Sequence, residues 1–526
     1  MFNTLKFQFN AILSFFDDFL FNKDSLLIVF SHPSIDNFKL NYFIPETFFT
    51  IFLIILLISF IFIKGTTNSD FYFKSFVFLS IGGVLLTMLL LFFFVGFEEH
   101  YVFLNQFKTD SSIVFIKILS LIFSIIILLF FYNSSSYYWF IQIEHVFLML
   151  FSVLGGLILL STNDFISFYL ALEIMTIPLY VLVASNYKSN FSTEAGLKYF
   201  IVGSFSSGLV LFGFSFIYGF SGVSNFDDLE LFLMSFYFTK DLLDIGLIIG
   251  VIFFFVGLLI KIGVAPFHFW VADVYTGAPM PFTIFLMTIP KIILWGVFYN
   301  LTLNIFYSFF PSYLYYLIYI CVLSSFFFGV FPGLFQIKLK RLLIYSSISS
   351  NGFFLLPLFA NSMSSLYLFL FLYLLSITGF FSFYMMLRRQ NTNKLIIKIS
   401  ELNNLFQSTP SLAIASSIIL FSIAGIPPLA GFFGKFYIFI SVFNEIPFLI
   451  FIALLFTCIS TFYYIRIIKW MFFAVDLDSW NKNSFLFVKD DNFFFLFYLF
   501  FVSYFNVFLF FFYNDIISFF EIMFVQ

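Results

Sequence analysis

The sequence predicts an all-α polytopic membrane protein with about fourteen transmembrane helices, and three observations carry that prediction. Of its 526 residues 62% are hydrophobic and only 10% charged, with a mean hydropathy of +1.07, against roughly 25% charged residues in soluble domains. Its apolar runs have the length of about 20 residues that a helix needs to cross a hydrocarbon core about 30 Å thick. They are too long and too unalternating for membrane β-strands. Finally, the basic residues between these runs gather on one side.

The runs fall near 43–63 (TM1), 75–95 (TM2), 112–131 (TM3), 143–161 (TM4), 164–185 (TM5), 194–219 (TM6), 243–266 (TM7) and 280–302 (TM8). The remaining six lie near 311–332 (TM9), 342–360 (TM10), 364–387 (TM11), 411–443 (TM12), 446–465 (TM13) and 492–513 (TM14). Proline marks TM7 at Pro266, TM8 at Pro290 and TM12 at Pro427-Pro428, so these three spans are expected to be broken. A broken helix at membrane depth must line a packed or watery interior. The loops after odd-numbered spans hold fourteen lysines and arginines, among them Lys64, Lys188, Lys338, Arg388, Lys394 and Lys482. Those after even-numbered spans hold only Lys108 and Lys240. The positive-inside rule then puts the odd-numbered loops in the cytoplasm or matrix and both termini on the other side.

Several classes of chemistry are excluded. Cys321 and Cys458 sit far apart in apolar runs, with no CxxC pair, and read as packing residues. The four histidines never pair at helical ligand spacing, so no redox centre or metal site is expected in this chain. The 98 phenylalanines read as codon bias of an AT-rich genome. The opening MFNTLKFQFNAILSFFDDFLFN resembles neither a transit peptide nor a cleavable signal, as organelle-encoded synthesis would explain.

Five lysines lie within predicted spans: Lys117, Lys198, Lys261, Lys291 and Lys435. Glu173, in FYLALEIMTIPLY, is the acidic residue deep inside a span. An ionisable side chain at the bilayer centre costs roughly 2.5 to 3.5 kcal/mol on insertion scales, so each requires a reason. Snorkelling to an interface is the reading for Lys117, about five residues inside TM3, and competes strongly for Lys198, near the start of TM6. For Lys261, Lys291 and Lys435, each beside a helix break, a proton relay with Glu173 competes with snorkelling to an interface, and for Glu173 it competes with a structural carboxylate that hydrogen-bonds a neighbouring helix. Burial lowers a lysine's pKa, a nearby carboxylate raises it, and an arginine would stay charged, so lysine suits a relay. The breaks free carbonyls that can hold a water chain. His268, just past the TM7 break, either caps backbone or takes part in proton uptake. The segments LLIKIGVAPFHF and IAGIPPLAGFFGKFYIF each join a proline break to one lysine, a faint internal echo of the transporter kind.

Longer stretches carry a family resemblance. LALEIMTIPLYVLVASNYKSNFSTEAGLKYFIVGSFSSGLVLFGFSFIYG, VGLLIKIGVAPFHFWVADVYTGAPMPFTIFLMTIPK, QIKLKRLLIYSSISSNGF and IAGIPPLAGFFGKFYIF occur in that order between about residues 140 and 470. They resemble TM5–TM6, TM7–TM8, TM10 and TM12 of the antiporter-like membrane subunits of proton-pumping NADH:quinone oxidoreductase, respiratory complex I, in its subunit 2 (bacterial subunit N) branch. The resemblance implies two inverted five-helix repeats, TM4–TM8 within 143–302 and TM9–TM13 within 303–468. Residues 1–42 are then an N-terminal extension, 43–142 hold TM1–TM3, and 469–526 a loop, TM14 and the C-terminus. It implies that Glu173 pairs with Lys261, that Lys198 lies near that pair, that Lys291 sits on a central hydrophilic axis and that Lys435 marks the exit side. The family's YSSIAHVGY reads YSSISSNGF here, placing Ser350 where a histidine is usual, and VYEGAP reads VYTGAP, with Thr276 for glutamate.

The implied function is to couple quinone reduction in other subunits to proton movement through the Glu and Lys relay. NADH, FMN, iron–sulfur clusters and ubiquinone are then held elsewhere in the complex. The implied partners are other membrane-arm subunits, including neighbouring antiporter-like ones, and lipids, with no nucleic acid; the implied location is the mitochondrial inner membrane. Two alternatives stay open, a subunit of a multisubunit cation/proton antiporter and a structural membrane-arm subunit whose relay is interrupted at Ser350. The loop asymmetry makes a topological prediction. Tags at Lys394 and Lys482 should be protected from protease in sealed, right-side-out inner-membrane preparations, and tags at either terminus should be cleaved; the reverse pattern would overturn the orientation.

Overall fold

In the computed structural model, residues 40–63, 69–95, 99–134, 142–236, 244–307, 314–389, 395–403, 405–473, 486–488 and 493–524 are described. Most of the expected N-terminal extension and of the loop before TM14 lies outside them. Among the described residues, twelve helices are long and apolar enough to cross a membrane. They are TM1 (Ile44–Ile63), TM2 (Ser69–Leu90), TM3 (Ser111–Ser134), TM4 (Ile143–Ser161), TM5 (Phe165–Val183), TM6 (Asn190–Ser221), TM7 (Asp244–Ile262), TM8 (Met280–Asn300), TM9 (Tyr315–Leu334), TM10 (Leu339–Leu355), TM11 (Met363–Met386) and TM13 (Pro447–Phe472). A thirteenth span is reached if Phe493–Phe508 (TM14) and Tyr513–Phe524, which meet at 94°, are taken together. The expected TM12 is two short apolar helices, TM12a (Pro410–Ala424) and TM12b (Ala430–Val442). Strands β1 (His100–Val102) and β2 (Phe107–Thr109) form a hairpin before TM3, and β3 (Leu387–Arg389) pairs antiparallel with β4 (Leu486–Val488).

TM8 is buried along its whole length, and TM10 and TM11 nearly so, whereas TM1 and TM13 are mostly exposed along their apolar surfaces. This is the reverse of a water-soluble arrangement, in which the outer face is the polar one. Lipid solvates only hydrocarbon, so hydroxyls and amines are tolerated where protein surrounds them.

TM7 and TM12a stop by the same device. Gly263 and Gly425 both adopt left-handed backbone, φ +77 and +85. At TM7 the amide of Gly263 donates to Ile260 O (3.1 Å) and that of Val264 to Leu259 O (3.1 Å). At TM12a Gly425 donates to Ser422 O (3.0 Å) and Ile426 to Phe421 O (3.1 Å). Each is a Schellman closure, for which glycine carries no Cβ penalty. The chain resumes as Phe269–Gly277 (TM7b) and as TM12b.

Three expectations are corrected. TM8 is not broken, because its helix runs unbroken through Pro290. Proline removes the amide that would pair with Leu286 O, and that carbonyl instead meets the Tyr275 hydroxyl at 3.5 Å. Lys117 does not snorkel: it is fully buried and ion-paired to Glu46 on TM1, itself 2% exposed. Some basic residues counted as loop residues lie within helices and cap their neighbours. Lys340 donates to Ala278 O (2.6 Å), and Arg466 to Leu334 O (2.6 Å) and Gln336 O (2.7 Å), where carbonyls lack partners and the helix dipole is negative.

The Lys117–Glu46 pair yields a stability prediction. Removing one partner strands a buried charge at a cost of about 3 to 5 kcal/mol, while removing both is far cheaper. Lys117→Met should therefore lower the thermal stability and yield of the detergent-solubilised complex, and the double variant Glu46→Leu/Lys117→Met should recover most of the loss.

Candidate functional site

Glu173, halfway along TM5, meets Lys261, in the last turn of TM7 just ahead of the Gly263 break, at 3.3 Å. The lysine is buried and the carboxylate side chain about one-fifth exposed. The break itself is sealed by side chains. Trp270 Nε1 donates to Ile260 O (2.9 Å), Asn351 Nδ2 to Gly263 O (3.1 Å) and Ser324 Oγ to Ala265 O (2.8 Å). The freed carbonyls at TM7 are thus held by TM7b, TM9 and TM10 rather than open to a water chain, contrary to expectation.

Lys291, one residue beyond Pro290, is buried at the centre of the bundle. Its ammonium donates to Ser347 O (3.2 Å), Ser350 Oγ (3.1 Å) and Tyr373 Oη (3.2 Å). These three acceptors match its three donors, and every one is neutral. The faces of Tyr373 (4.4 Å) and Phe354 (5.1 Å) add cation–π attraction. Ser350 therefore touches Lys291 directly instead of leaving a gap. Ser346, Ser347, Ser349 and Ser350 all donate to carbonyls three residues back in TM10, which leaves their oxygens free to accept.

Lys435, in TM12b, reaches back to Ile423 O (3.0 Å) and Ala424 O (2.9 Å), the last carbonyls of TM12a and the negative end of its dipole. A Cβ on Gly425 would lie 3.0 Å from the Lys435 side chain, and one on Gly431 would strike Ser422 O, so the small residues at this break let the lysine in. Between Lys435 and Lys291 lies a cavity of about 30 Å³ walled by Ser350, Tyr373, Ser349, Tyr463, Tyr464 and Lys435, with Phe353 and Phe369 on its apolar side. One water requires about 10 to 15 Å³ and two to four polar partners, and both conditions are met. A smaller hollow of about 10 Å³ lies beside Lys261, walled in part by Thr176, Tyr180 and Pro290.

The bundle thus brings together Glu173 with Lys261, and Lys291 with Ser350, while one hydroxyl-lined cavity joins Lys291's partners to Lys435. It does not bury the other two candidates in the same way. Lys198 is 43% exposed, eight residues into a TM6 that starts earlier than expected, and pairs with Glu194 (2.8 Å) and Asp273 (3.1 Å). His268 is buried between Phe269 and Phe328, each ring 5.1 Å away, and its side chain caps no helix end. Its Nδ1 has no partner among the described residues. Sequence reasoning missed Tyr373, Tyr463 and Tyr464 in the wall of this cavity, because nothing distinguishes three such rings among 29 tyrosines and 98 phenylalanines. Among the described residues, no group of three His, Cys, Asp or Glu is arranged to hold a metal ion.

Comparison with known proteins gives a consistent result. The family described as NADH:quinone oxidoreductase/Mrp antiporter, TM matches residues 162–461. NADH-quinone oxidoreductase subunit N of Pelagibacter ubique (strain HTCC1062) is 34% identical over 455 residues, covering 86% of this chain and 93% of the relative. NADH-ubiquinone oxidoreductase chain 2 of Marchantia polymorpha is 41% identical over 335 residues, 63% of this chain and 67% of the relative. Among solved structures, respiratory complex I from Thermus thermophilus with bound aureothin has a chain of the same fold, with a TM-score of 0.72 at 22% identity, covering 90% of this chain and 98% of that one. The Mrp complex from Dietzia sp. DQ12-45-1b also shares the fold, at 0.72 and 14% identity, covering 94% and 97%.

The Lys291 geometry is open to direct test. A high-resolution density map should place ordered water in the cavity between Ser350 and Lys435. Ser350→Ala removes one of three acceptors from a buried ammonium, worth about 1.5 to 3 kcal/mol, and should lower the turnover of the assembled complex more than Ser346→Ala. Equal effects of the two would show that Ser350 has no special place.

Proposed function

Because the chain belongs to the NADH:quinone oxidoreductase/Mrp antiporter family, in the branch of NADH-quinone oxidoreductase subunit N and NADH-ubiquinone oxidoreductase chain 2, we propose that it is a proton-translocating membrane-arm subunit of respiratory complex I. It is a multi-pass membrane protein working within an oxidoreductase complex, and the redox cofactors belong to other subunits. NADH, FMN, iron–sulfur clusters and ubiquinone act there, and neighbouring membrane-arm subunits are its direct partners. We place it in the mitochondrial inner membrane, with both termini on the intermembrane side, from the loop asymmetry and from plant relatives such as the Marchantia chain.

The observation that carries the relay is the contrast between the lysines. Lys261 has a carboxylate partner, whereas Lys291 and Lys435 are held by neutral oxygens. At an effective dielectric near 20, opposite charges 3.3 Å apart attract by about 5 kcal/mol, falling to about 2.4 kcal/mol at about 7 Å. The difference of about 2.6 kcal/mol is close to the 2.3 kcal/mol that about 100 mV supplies per charge. Separating Glu173 from Lys261, as quinone reduction drives movement in neighbouring subunits, is therefore enough to pass a proton from Lys261 towards Lys291. From there the Ser350 and Tyr373 oxygens and the cavity lead to Lys435. Lys198 and His268, which lie outside this chain of contacts, are assigned supporting roles. The two helices broken by matching Schellman closures support the reading of TM4–TM8 and TM9–TM13 as related halves.

The test uses the assembled complex. Glu173→Gln, Lys261→Ala and Lys435→Ala should each slow proton pumping and coupled quinone reduction by roughly tenfold or more, the effect of about 1.4 kcal/mol or greater on a limiting step. NADH oxidation by artificial acceptors should be retained. Unchanged proton pumping in assembled Lys261→Ala complex would remove the relay and favour a structural subunit.

A further inference from the structure

A cavity much larger than the one beside Lys435 lies away from the lysine axis. It has a volume of about 550 Å³ and opens at the ends of TM3, TM4 and TM8. Its rim comes from loops after even-numbered spans, so it faces away from the lysine-rich loops. Glu99, Asp110, Asp227 and Glu230 line it against the single cation Lys108, and Leu159, Leu160, Phe168 and Val297 wall its inner part. Val297 is six residues from Lys291 on TM8, about 9 Å along the axis at 1.5 Å per residue.

The rim is a built structure. Asn163, 4% exposed, directs its amide at Asp227 Oδ2 (2.7 Å), Asn225 Oδ1 (3.2 Å) and Asn105 O (3.1 Å), tying the β1–β2 hairpin to the TM4–TM5 turn and the helix Phe226–Phe236. Asp110, immediately before TM3, is 2% exposed. Its Oδ2 lies 3.5 Å from Lys108 Nζ, while its Oδ1 has no partner among the described residues. A carboxylate oxygen buried without a donor is expensive unless it accepts from water or carries a proton. The acidic lining and the unpartnered Asp110 oxygen suit a proton.

We propose that this vestibule is a proton-exchange site on the face opposite the lysine-rich loops, with Asp110 as the group that takes up and returns the proton. On uptake a hydronium gives its proton to Asp110 Oδ1, leaving water and a neutral carboxylic acid; release is the reverse, and no electron moves. Burial pushes the Asp110 carboxyl up to about 6, with Lys108 opposing that rise and Glu99 and Asp227 adding to it. Tyr101, also on the hairpin, packs its ring under Lys108, and Glu230 is raised in turn by burial and by Asp227. Asp110 is therefore neutral below about pH 6 and ionised above it, in the range where an acid near neutrality passes protons in both directions. The proposal rests on the proton-translocating reading of the chain and assigns it a contact with water outside the Lys435 exit.

Infrared difference spectra of the intact complex test it. Wild type minus Asp110→Asn should show a protonated-carboxyl band that titrates with a midpoint near pH 6. Lys108→Met should raise that midpoint and Glu99→Gln should lower it, while Asp228→Asn, on the exposed side of the same rim helix, should leave it in place. In sealed vesicles Asp110→Asn, which can neither take up nor return a proton, should lose proton pumping at pH 6 and at pH 7.5 alike, with quinone reductase activity by uncoupled complex retained. No carboxyl band, a midpoint indifferent to Lys108→Met, or unaltered pumping by Asp110→Asn would each overturn the proposal. If the band titrates as expected while Lys261→Ala pumps normally, the relay reading fails and the vestibule assignment of Asp110 as an exchanging acid does not.

Discussion

The ammonium of Lys291 must find every hydrogen-bond acceptor inside the protein, because lipid supplies none and a bare cation at membrane depth is costly. TM8 carries it through the middle of the bundle, buried on all sides. Its three partners come from TM10 and TM11, so those two helices must pack against TM8 with their hydroxyls inward. TM10 and TM11 carry the serine, threonine and tyrosine hydroxyls that this arrangement needs. The apolar outer spans, TM1 and TM13 among them, form a belt between this polar centre and lipid.

The two helix breaks solve opposite problems with one backbone motif. At TM7 the freed carbonyls are taken by Trp270, Ser324 and Asn351, which makes the break rigid and leaves Lys261 with Glu173 as its partner. At TM12 the freed carbonyls of Ile423 and Ala424 are themselves the lysine's partners. The first arrangement ties a lysine to a charge that can be moved or neutralised. The second ties a lysine to fixed dipoles, whose attraction changes little unless the helix ends move. A switchable end and a steady end fit the proposed relay.

Charge elsewhere follows the same economy. Lys117 and Glu46 neutralise each other between TM3 and TM1, and Lys340 and Arg466 neutralise carbonyl ends of neighbouring helices on the lysine-rich side. Asp110, like Glu46, is a buried carboxylate whose cation touches only one of its oxygens. Its place in the wall of a cavity of about 550 Å³ is what sets it apart from that structural pair.

Periodicity and composition alone determined that the chain is a helical membrane protein, since a hydrocarbon core selects about 20 apolar residues wherever the chain crosses it. They located nearly every span, the breaks at TM7 and TM12, and the rare ionisable residues Glu173, Lys261, Lys291 and Lys435, because such residues stand out against an apolar background. Partner choice was decided only by tertiary structure. Lys117 found Glu46 across 71 positions of sequence, and Pro290 left TM8 whole because Tyr275 lies against Leu286 O. Tyr373 became a partner of Lys291 only through the packing of TM11 against TM8. Hydrogen-bond partners at membrane depth come from neighbouring helices, and which helix faces which is set by the packing of all of them together.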